Sequence, residues 1–172
     1  MELNWKEILS SKIGNFYLIS SRERDIDIFK HLIPNNSEKV IARVIRGERC
    51  RTKESLFKEF TSVLEFPNYF GHNWDAFDEC INDMSWLPAN NYVLVISNFD
   101  KLLSESPEDL HIFLDIIKDT IFQWNKNNIK PFTPFNILLQ CETENEEKCK
   151  TILKKENIHP ALKILKPFKD IK

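Results

Sequence analysis

Glycine is scarce in this sequence, with three residues in 172, against thirteen phenylalanines and four tryptophans. So few flexible positions among so many large apolar side chains indicate an ordered globule, one domain or one domain with an added subdomain. No run of residues approaches the roughly 18 consecutive apolar residues of a membrane span, so we expect no membrane partner. Glu2 and Glu7 stand where a signal peptide has its apolar stretch, which predicts a cytoplasmic protein.

Paired cysteine motifs and metal-ligand spacings are missing as well. The four cysteines lack CxxC spacing, and in a reducing cytoplasm we expect free thiols. The four histidines are scattered, and no HExxH-like spacing or nucleophile–base pair occurs. The sequence therefore predicts no metal, no cofactor and no enzymatic activity. A metal-dependent hydrolase that uses His72, Asp75 and Glu79 is the less favoured alternative.

Basic residues are nearly absent from the middle of the chain. Between Leu64 and Ile117 there are ten acidic residues and one basic residue, Lys101, whereas the whole chain has a net charge of only −2. This segregation favours an acidic surface that faces a cationic partner, and it argues against direct nucleic-acid binding by this segment. An ordinary hydrated surface is the other explanation for such a cluster.

Short apolar segments alternate with helical patterns along the chain. The predicted strands are Phe16–Ser20, Lys39–Ile45, Tyr92–Ser97 and Phe135–Cys141. Helices are predicted over residues 3–10, Asp25–Leu32, Thr52 to Leu64, Asn73 to Met84, Ser106 to Trp124 and Glu144–Glu156. This alternation indicates an α/β layer around a mostly parallel sheet.

The helix predicted from Asn73 to Met84 has an acidic face. Four carboxylates share that face: Asp75, Asp78, Glu79 and Asp83. Two like-charge pairs at i,i+4 spacing each destabilise the helix by a few tenths of a kcal/mol, and no base within the helix relieves them. A helix selected only for stability would not have this pattern, so we interpret the face as an array of anions for a cationic site. Gly71 is predicted to supply a positive φ before the helix, and Asn73 is predicted to cap it.

The stretch from Phe66 to Cys80 (FPNYFGHNWDAFDEC) resembles the barstar family, the inhibitors of barnase-type ribonucleases. The family pattern has a proline, then a loop of tyrosine, aromatic, glycine, any residue and asparagine. Asp-Ala and an acid–cysteine pair follow. All of these features occur here in order, and the resemblance extends over about Val40 to Gln140.

The resemblance implies an α/β fold with a small, mostly parallel three-stranded sheet packed with helices, to which N- and C-terminal elements are added. It places the family domain at residues 39–141, an N-terminal extension at 1–38, and a C-terminal helix with a basic tail at 142–172. The implied partner is a basic ribonuclease or related toxin, whose active site the chain would cover as an antitoxin or immunity protein.

The same resemblance implies a set of partner-binding residues. They are Tyr69, Gly71, Asn73, Asp75, Asp78, Glu79 and Asp115. Tyr69 matches an aromatic residue that stacks at the enzyme's site, and Glu79 matches the central carboxylate that takes the place of a substrate phosphate. In the family's best-known member the central acid is Asp and its neighbour is Trp, where this chain has Glu79 and Asp78. These differences bear on which partner is bound. An immunity protein against a toxin that is not a ribonuclease, and a scaffold module, stay open as alternatives.

Overall fold

The computed structural model of the chain describes residues 5–26, 39–126 and 133–164. Its strands are β1 (Phe16–Ser20), β2 (Val40–Arg46), β3 (Asn91–Ser97), β4 (Phe135–Cys141) and β5 (Ala161–Ile164). Its α-helices of six residues or more are α1 (Trp5–Ser10), α2 (Lys53–Leu64), α3 (Trp74–Asp83), α4 (Pro107–Lys126) and α5 (Glu146–Lys155).

Local signals in the sequence determine where these elements begin and end. The strands predicted at Phe16–Ser20 and Phe135–Cys141 are confirmed with the same bounds. Thr52 caps α2 as predicted, because its Oγ1 accepts a hydrogen bond from the Ser55 amide at 3.3 Å while the Ser55 Oγ accepts one from the Thr52 amide at 3.0 Å. Most of the helix predicted at Asp25–Leu32 lies outside the described residues.

The strands form one parallel sheet in the order β2-β3-β4-β1-β5. The expectation of three strands is therefore wrong, since this sheet has five. The resemblance that predicted three strands covers only the stretch with β2, β3 and β4. The outer segments add β1, which pairs with β4, and β5, which pairs with β1. The domain boundaries after residues 38 and 141 stay a prediction.

Apolar clusters cover both faces of the sheet. One face packs against α2, α3, α4 and α5, represented by Leu56, Phe77, Phe113 and Leu153. The opposite face packs against Ile8 of α1 and Ile26. Helices on both faces explain why every residue of β3 and β4 is buried, as expected for the central strands of a parallel sheet. The sheet thus forms a rigid support on which α3 and α4 lie side by side.

The four cysteines are all free thiols in the core, as the sequence predicts. Cys50, Cys80, Cys141 and Cys149 are each at most 3% exposed. Within the described ranges, no helix is both long and apolar enough to cross a membrane.

Candidate functional site

Helix α3 is held by well-formed ends. The Oδ1 of Asn73 accepts a hydrogen bond from the Ala76 amide at 2.9 Å, which confirms the predicted cap. At the other end, Met84 takes a left-handed conformation with φ 47°, and its amide donates to the Cys80 carbonyl at 3.2 Å. The helix therefore spans less than three turns between two defined stops.

The prediction for Gly71 is wrong, because no described glycine has a positive φ. The left-handed residue of this loop is His72, with φ 51°. Gly71 has a different role, since a Cβ there would lie 3.1 Å from the Nδ2 of Asn73. That Nδ2 donates to the Gly71 carbonyl at 3.3 Å, so the absent side chain leaves room for the capping amide.

The apolar face of α3 fixes how the helix is oriented. Phe77 is completely buried and packs edge-on against Phe60, with ring centroids 5.0 Å apart. Trp74 packs against Phe57 at 4.9 Å and donates its indole N–H to the Asp109 carboxylate of α4 at 2.9 Å. With these contacts made, α3 can present only its opposite face to solvent.

The four acids predicted on that opposite face are all exposed: Asp75, Asp78, Glu79 and Asp83. None of them forms an ion pair with a Lys, Arg or His of the described residues. Their hydrogen-bond partners are also few. Asp78 accepts from the Asn82 amide at 2.9 Å, and Asp83 accepts from the Ser85 hydroxyl at 3.1 Å. We call these four residues the acidic face.

A groove of about 600 Å³ separates the acidic face from the exposed side of α4. Asp78 and Asn82 line it from α3, whereas Asp115 and Asp119 line it from α4. The Asp115 carboxylate accepts a hydrogen bond from Lys118 at 2.6 Å, which lowers the pKa of Asp115 below its ordinary value. Asp115 thus lies beside the acidic face, but its charge is compensated by Lys118, and its role in partner binding stays a prediction.

Asp119 lies one turn further along α4 and was missed by the sequence analysis. It is exposed and has no ion pair with another described residue. The signal was available, because a residue four positions after Asp115 shares its helical face. The structure therefore brings to the groove a further carboxylate that has no ion pair among the described residues.

The environment of Asp78 shows how close these charges are. Partial burial raises the pKa of Asp78, and the negative charges of Asp119, Asp75 and Glu79 raise it further. The hydrogen bond from Asn82 acts in the opposite direction. Repulsion within the cluster is thus a property of the folded protein as well as of the sequence.

Tyr69 projects from the loop before α3 and is 72% exposed. Its neighbour Phe70 is buried and packs edge-on against Phe66 at 5.1 Å, which anchors the loop. Desolvation raises the pKa of the Tyr69 hydroxyl, and the nearby groups Cys80, Asp83 and Glu79 raise it further. An exposed aromatic ring is therefore held beside the acidic face, near Glu79 and Asp83 in the second half of α3.

Metal chemistry finds no support in the arrangement of these groups. Over residues 5–26, 39–126 and 133–164, no three His, Cys, Asp or Glu side chains are placed so that they could hold a metal ion. The acidic face is spread along the surface of a helix, a shape suited to contact with another macromolecule.

Comparison with solved structures places the fold among larger proteins. The chain is similar to an Aeropyrum pernix ORC2 protein solved as ADPNP–ADP complexes, with a TM-score of 0.60 and 12% identity over 95% of this chain and 48% of that one. It is also similar to a Drosophila ORC bound to DNA, with a TM-score of 0.52 and 11% identity over 92% of this chain and 27% of that one. At such low identity the likeness concerns the fold alone. The chain spans about half of the first protein and about a quarter of the second.

Sequence comparison gives a different and more specific result. No curated protein matches the chain significantly. The profile of the family described as Barstar (barnase inhibitor) matches residues 40–136, which include β2, α2, α3, β3 and α4 with the acidic face. Since that match covers more than half of the sequence, the chain belongs to the barstar family.

Proposed function

We propose that this protein inhibits a ribonuclease by covering the enzyme's basic active site with the acidic face of α3 and the loop that carries Tyr69. The observation that carries the proposal is that the four carboxylates of α3 are exposed and lack basic partners among the described residues. Membership of the barstar family also supports a protein that binds its partner and does not act as a catalyst.

The mechanism is competitive occlusion. Enzymes that cleave RNA hold the phosphate with cationic side chains, and carboxylates already in position form short charge-assisted hydrogen bonds with such groups. Glu79 lies at the centre of the face, between Asp75 and Asp83 along the helix. Because α3 is packed by buried aromatic rings, little backbone entropy is lost when the carboxylates dock, and the entropy cost is confined to their side chains.

The field of the acidic segment should also accelerate the encounter. Like charges spread over one surface steer a cationic partner, and salt weakens this steering. We therefore expect the association rate to fall steeply as salt increases, while the dissociation rate changes less.

The decisive experiment measures RNA cleavage by a basic ribonuclease of the barnase type, and by any nuclease encoded beside this chain, with and without the protein. We expect inhibition at stoichiometric amounts. Glu79→Gln should weaken binding by at least about 2 kcal/mol, or roughly 30-fold in Kd, because a cation of the partner loses its counter-charge. Glu144→Gln removes the same charge from an exposed position after β4 and serves as the matched control. No inhibition at micromolar excess would remove the proposal.

One alternative leads to a different result in the same experiments. A toxin that is not a ribonuclease would be captured by the wild-type protein and lost with Glu79→Gln, although RNA cleavage stayed uninhibited. The departures at Asp78 and Glu79 from the family's best-known member favour testing this alternative. The likeness in fold to a protein solved with ADPNP and ADP makes nucleotide binding a third candidate. A nucleotide would be expected to bind at the carboxyl ends of the strands of the sheet.

A further inference from the structure

Open parallel sheets bind ligands outside the carboxyl ends of their strands, where the chain leaves two neighbouring strands in opposite directions. In this sheet that point lies between β1 and β4. From β1 the chain runs to β2 at one edge, and from β4 it runs to β5 at the other. The helical residues after β1 lead to Ile26 on one face, whereas α5 after β4 packs on the other face. We call the space between residues 20–25, where β1 ends and the helical residues begin, and residues 141–143, where β4 ends, the crevice.

A ligand with a phosphate group would need a flexible loop and free donors here. Such loops are rich in glycine, so that backbone N–H groups can surround the phosphate. The sequence has no glycine between Gly14 and Gly47 and no GxxxxGK[ST] motif anywhere. Neither loop of the crevice has the composition of a phosphate-binding loop.

The chain's own groups fill the crevice. The Glu142 Oε1 accepts a hydrogen bond from the Glu23 amide at 3.0 Å, so a carboxylate of the chain lies at the start of the helical residues, the position that an anion takes in proteins that bind one at a helix start. Ser20 donates its hydroxyl proton to the Thr143 hydroxyl at 3.0 Å. Arg22 forms an ion pair with Asp25, which is 2% exposed, and its guanidinium donates two hydrogen bonds of 2.9 Å to the carboxylate.

A buried amide completes the closure. Gln140 is fully buried at the end of β4, where its Nε2 donates to the Ser21 carbonyl at 2.6 Å and its Oε1 accepts from the Asn98 amide at 2.9 Å. One side chain thus joins the ends of β1, β4 and the loop after β3. Both polar atoms of Gln140 have a partner within the protein, and the side chain is fully buried, so it is not accessible to a ligand.

We infer that this crevice is occupied by the protein itself: Glu142 takes the place of an anionic ligand, and its bonds fasten the segment 20–25 to the family region. The inference is independent of the acidic face and of ribonuclease binding. It assigns the crevice a structural role and predicts that nucleoside phosphates do not bind there.

One observation opposes the inference and defines its test. Three buried polar atoms near the end of β3, the Ser97 Oγ, Asn98 Nδ2 and Asp100 Oδ1, have no hydrogen-bond partner among the described residues. A ligand that satisfied them would stabilise the folded protein. At a hundredfold excess over its Kd it would raise the Tm by about 5–10 °C.

The experiment follows thermal unfolding of the full chain with Mg-ATP, Mg-ADP, Mg²⁺ alone and inorganic phosphate. We expect no rise in Tm with any of these probes, and a rise with any of them would overturn the inference. Glu142→Ala should lower the Tm by about 2–4 °C, whereas Glu144→Ala, an exposed acid of the same loop, should leave it unchanged.

Hydrogen exchange distinguishes the specific contact from general destabilisation. In the Glu142→Ala protein the Glu23 amide should exchange faster, while amides at the centre of β3 should keep their wild-type rates under native conditions. An unchanged Glu23 exchange rate would also overturn the inference.

Discussion

Removing the charge of Asp78 should stabilise the protein. Partial burial raises the pKa of Asp78, and the nearby carboxylates of Asp119, Asp75 and Glu79 raise it further. In the Asp78→Asn protein this repulsion disappears, and the new amide still offers an oxygen to the Asn82 donor that now lies 2.9 Å from Asp78. The like-charge neighbour at i,i+3 spacing, Asp75, costs about 0.2–0.5 kcal/mol on a helix, and Asp119 across the groove adds to it, so a gain of about 0.5 kcal/mol is expected.

The sign of the pH dependence follows from the raised pKa. Asp78 holds its proton more tightly in the folded protein than in the unfolded chain, where the pKa of its carboxyl is near 3.8. The loss of stability that the charged Asp78 causes is therefore fully present above the pKa of the folded state. It disappears as pH falls through that value towards 3.8. The stabilisation by Asp78→Asn should be complete at pH 7, nearly absent at about pH 3, and reduced by salt.

Urea unfolding of the two proteins at pH 7 and at acidic pH, at low and high salt, gives the required free energies. Asp115→Asn is a control of opposite sign, because Lys118 lowers the pKa of Asp115 and the aspartate contributes stability above pH 3.8. Asp78→Asn would refute the reasoning if it were less stable than wild type at pH 7, or equally stabilised at all pH values.

Three further changes have defined outcomes. Tyr69→Ala should weaken partner binding and leave the urea midpoint unchanged, because the ring is 72% exposed, and Tyr69→Phe should bind more tightly than Tyr69→Ala. The hydrogen bond to Glu156 raises the pKa of His111. The stabilising contribution of His111 should therefore be present below pH 6.5 and be lost as pH rises through the pKa of the folded state. Thermal unfolding of wild type and His111→Gln from pH 5 to 8 measures this contribution. His72→Gly should relieve a left-handed residue with φ 51°. It should change the free energy of unfolding, measured with urea, by less than the roughly 1 kcal/mol that such strain costs, because the glycine is also more flexible when unfolded.

The sequence predicted the elements whose signals are local. The Thr52 and Asn73 caps depend on residues within three positions, and the strands Phe16–Ser20 and Phe135–Cys141 depend on uninterrupted apolar runs. The acidic face was also predictable, since the period of a helix alone sorts its residues to one side.

The number of strands could not be predicted in the same way. The pairing of β1 with β4 joins residues about 120 positions apart, and no local pattern encodes it. Strand β5 has only four residues in a lysine-rich segment, too short for a clear alternation. The resemblance gave three strands because it extends over neither end of the chain.

Two details of the site depended on side-chain geometry. The left-handed residue is His72 and not Gly71, whose missing side chain instead leaves room for the Asn73 amide. The pair between Asp115 and Lys118 has i,i+3 spacing, which the sequence shows, but only the structure shows that the bond forms and that Asp119 stays unpaired.

The like-charge repulsion on the acidic face lowers the stability of the protein. This loss of stability offers a way to decide between a docking surface and an ordinary hydrated surface. We expect Asp78→Asn, Glu79→Gln and Asp83→Asn each to stabilise the isolated protein, because each removes like-charge repulsion, whereas Asp75 lies in the first turn of α3, where the helix dipole favours its charge. If the face binds a cationic partner, the same three variants should each bind it more weakly, so that stability and affinity change in opposite directions. Urea unfolding and titration with the captured partner measure the two quantities on the same samples. A merely hydrated surface would show the gain in stability with no loss of affinity, and that result would leave the repulsion on α3 without a function.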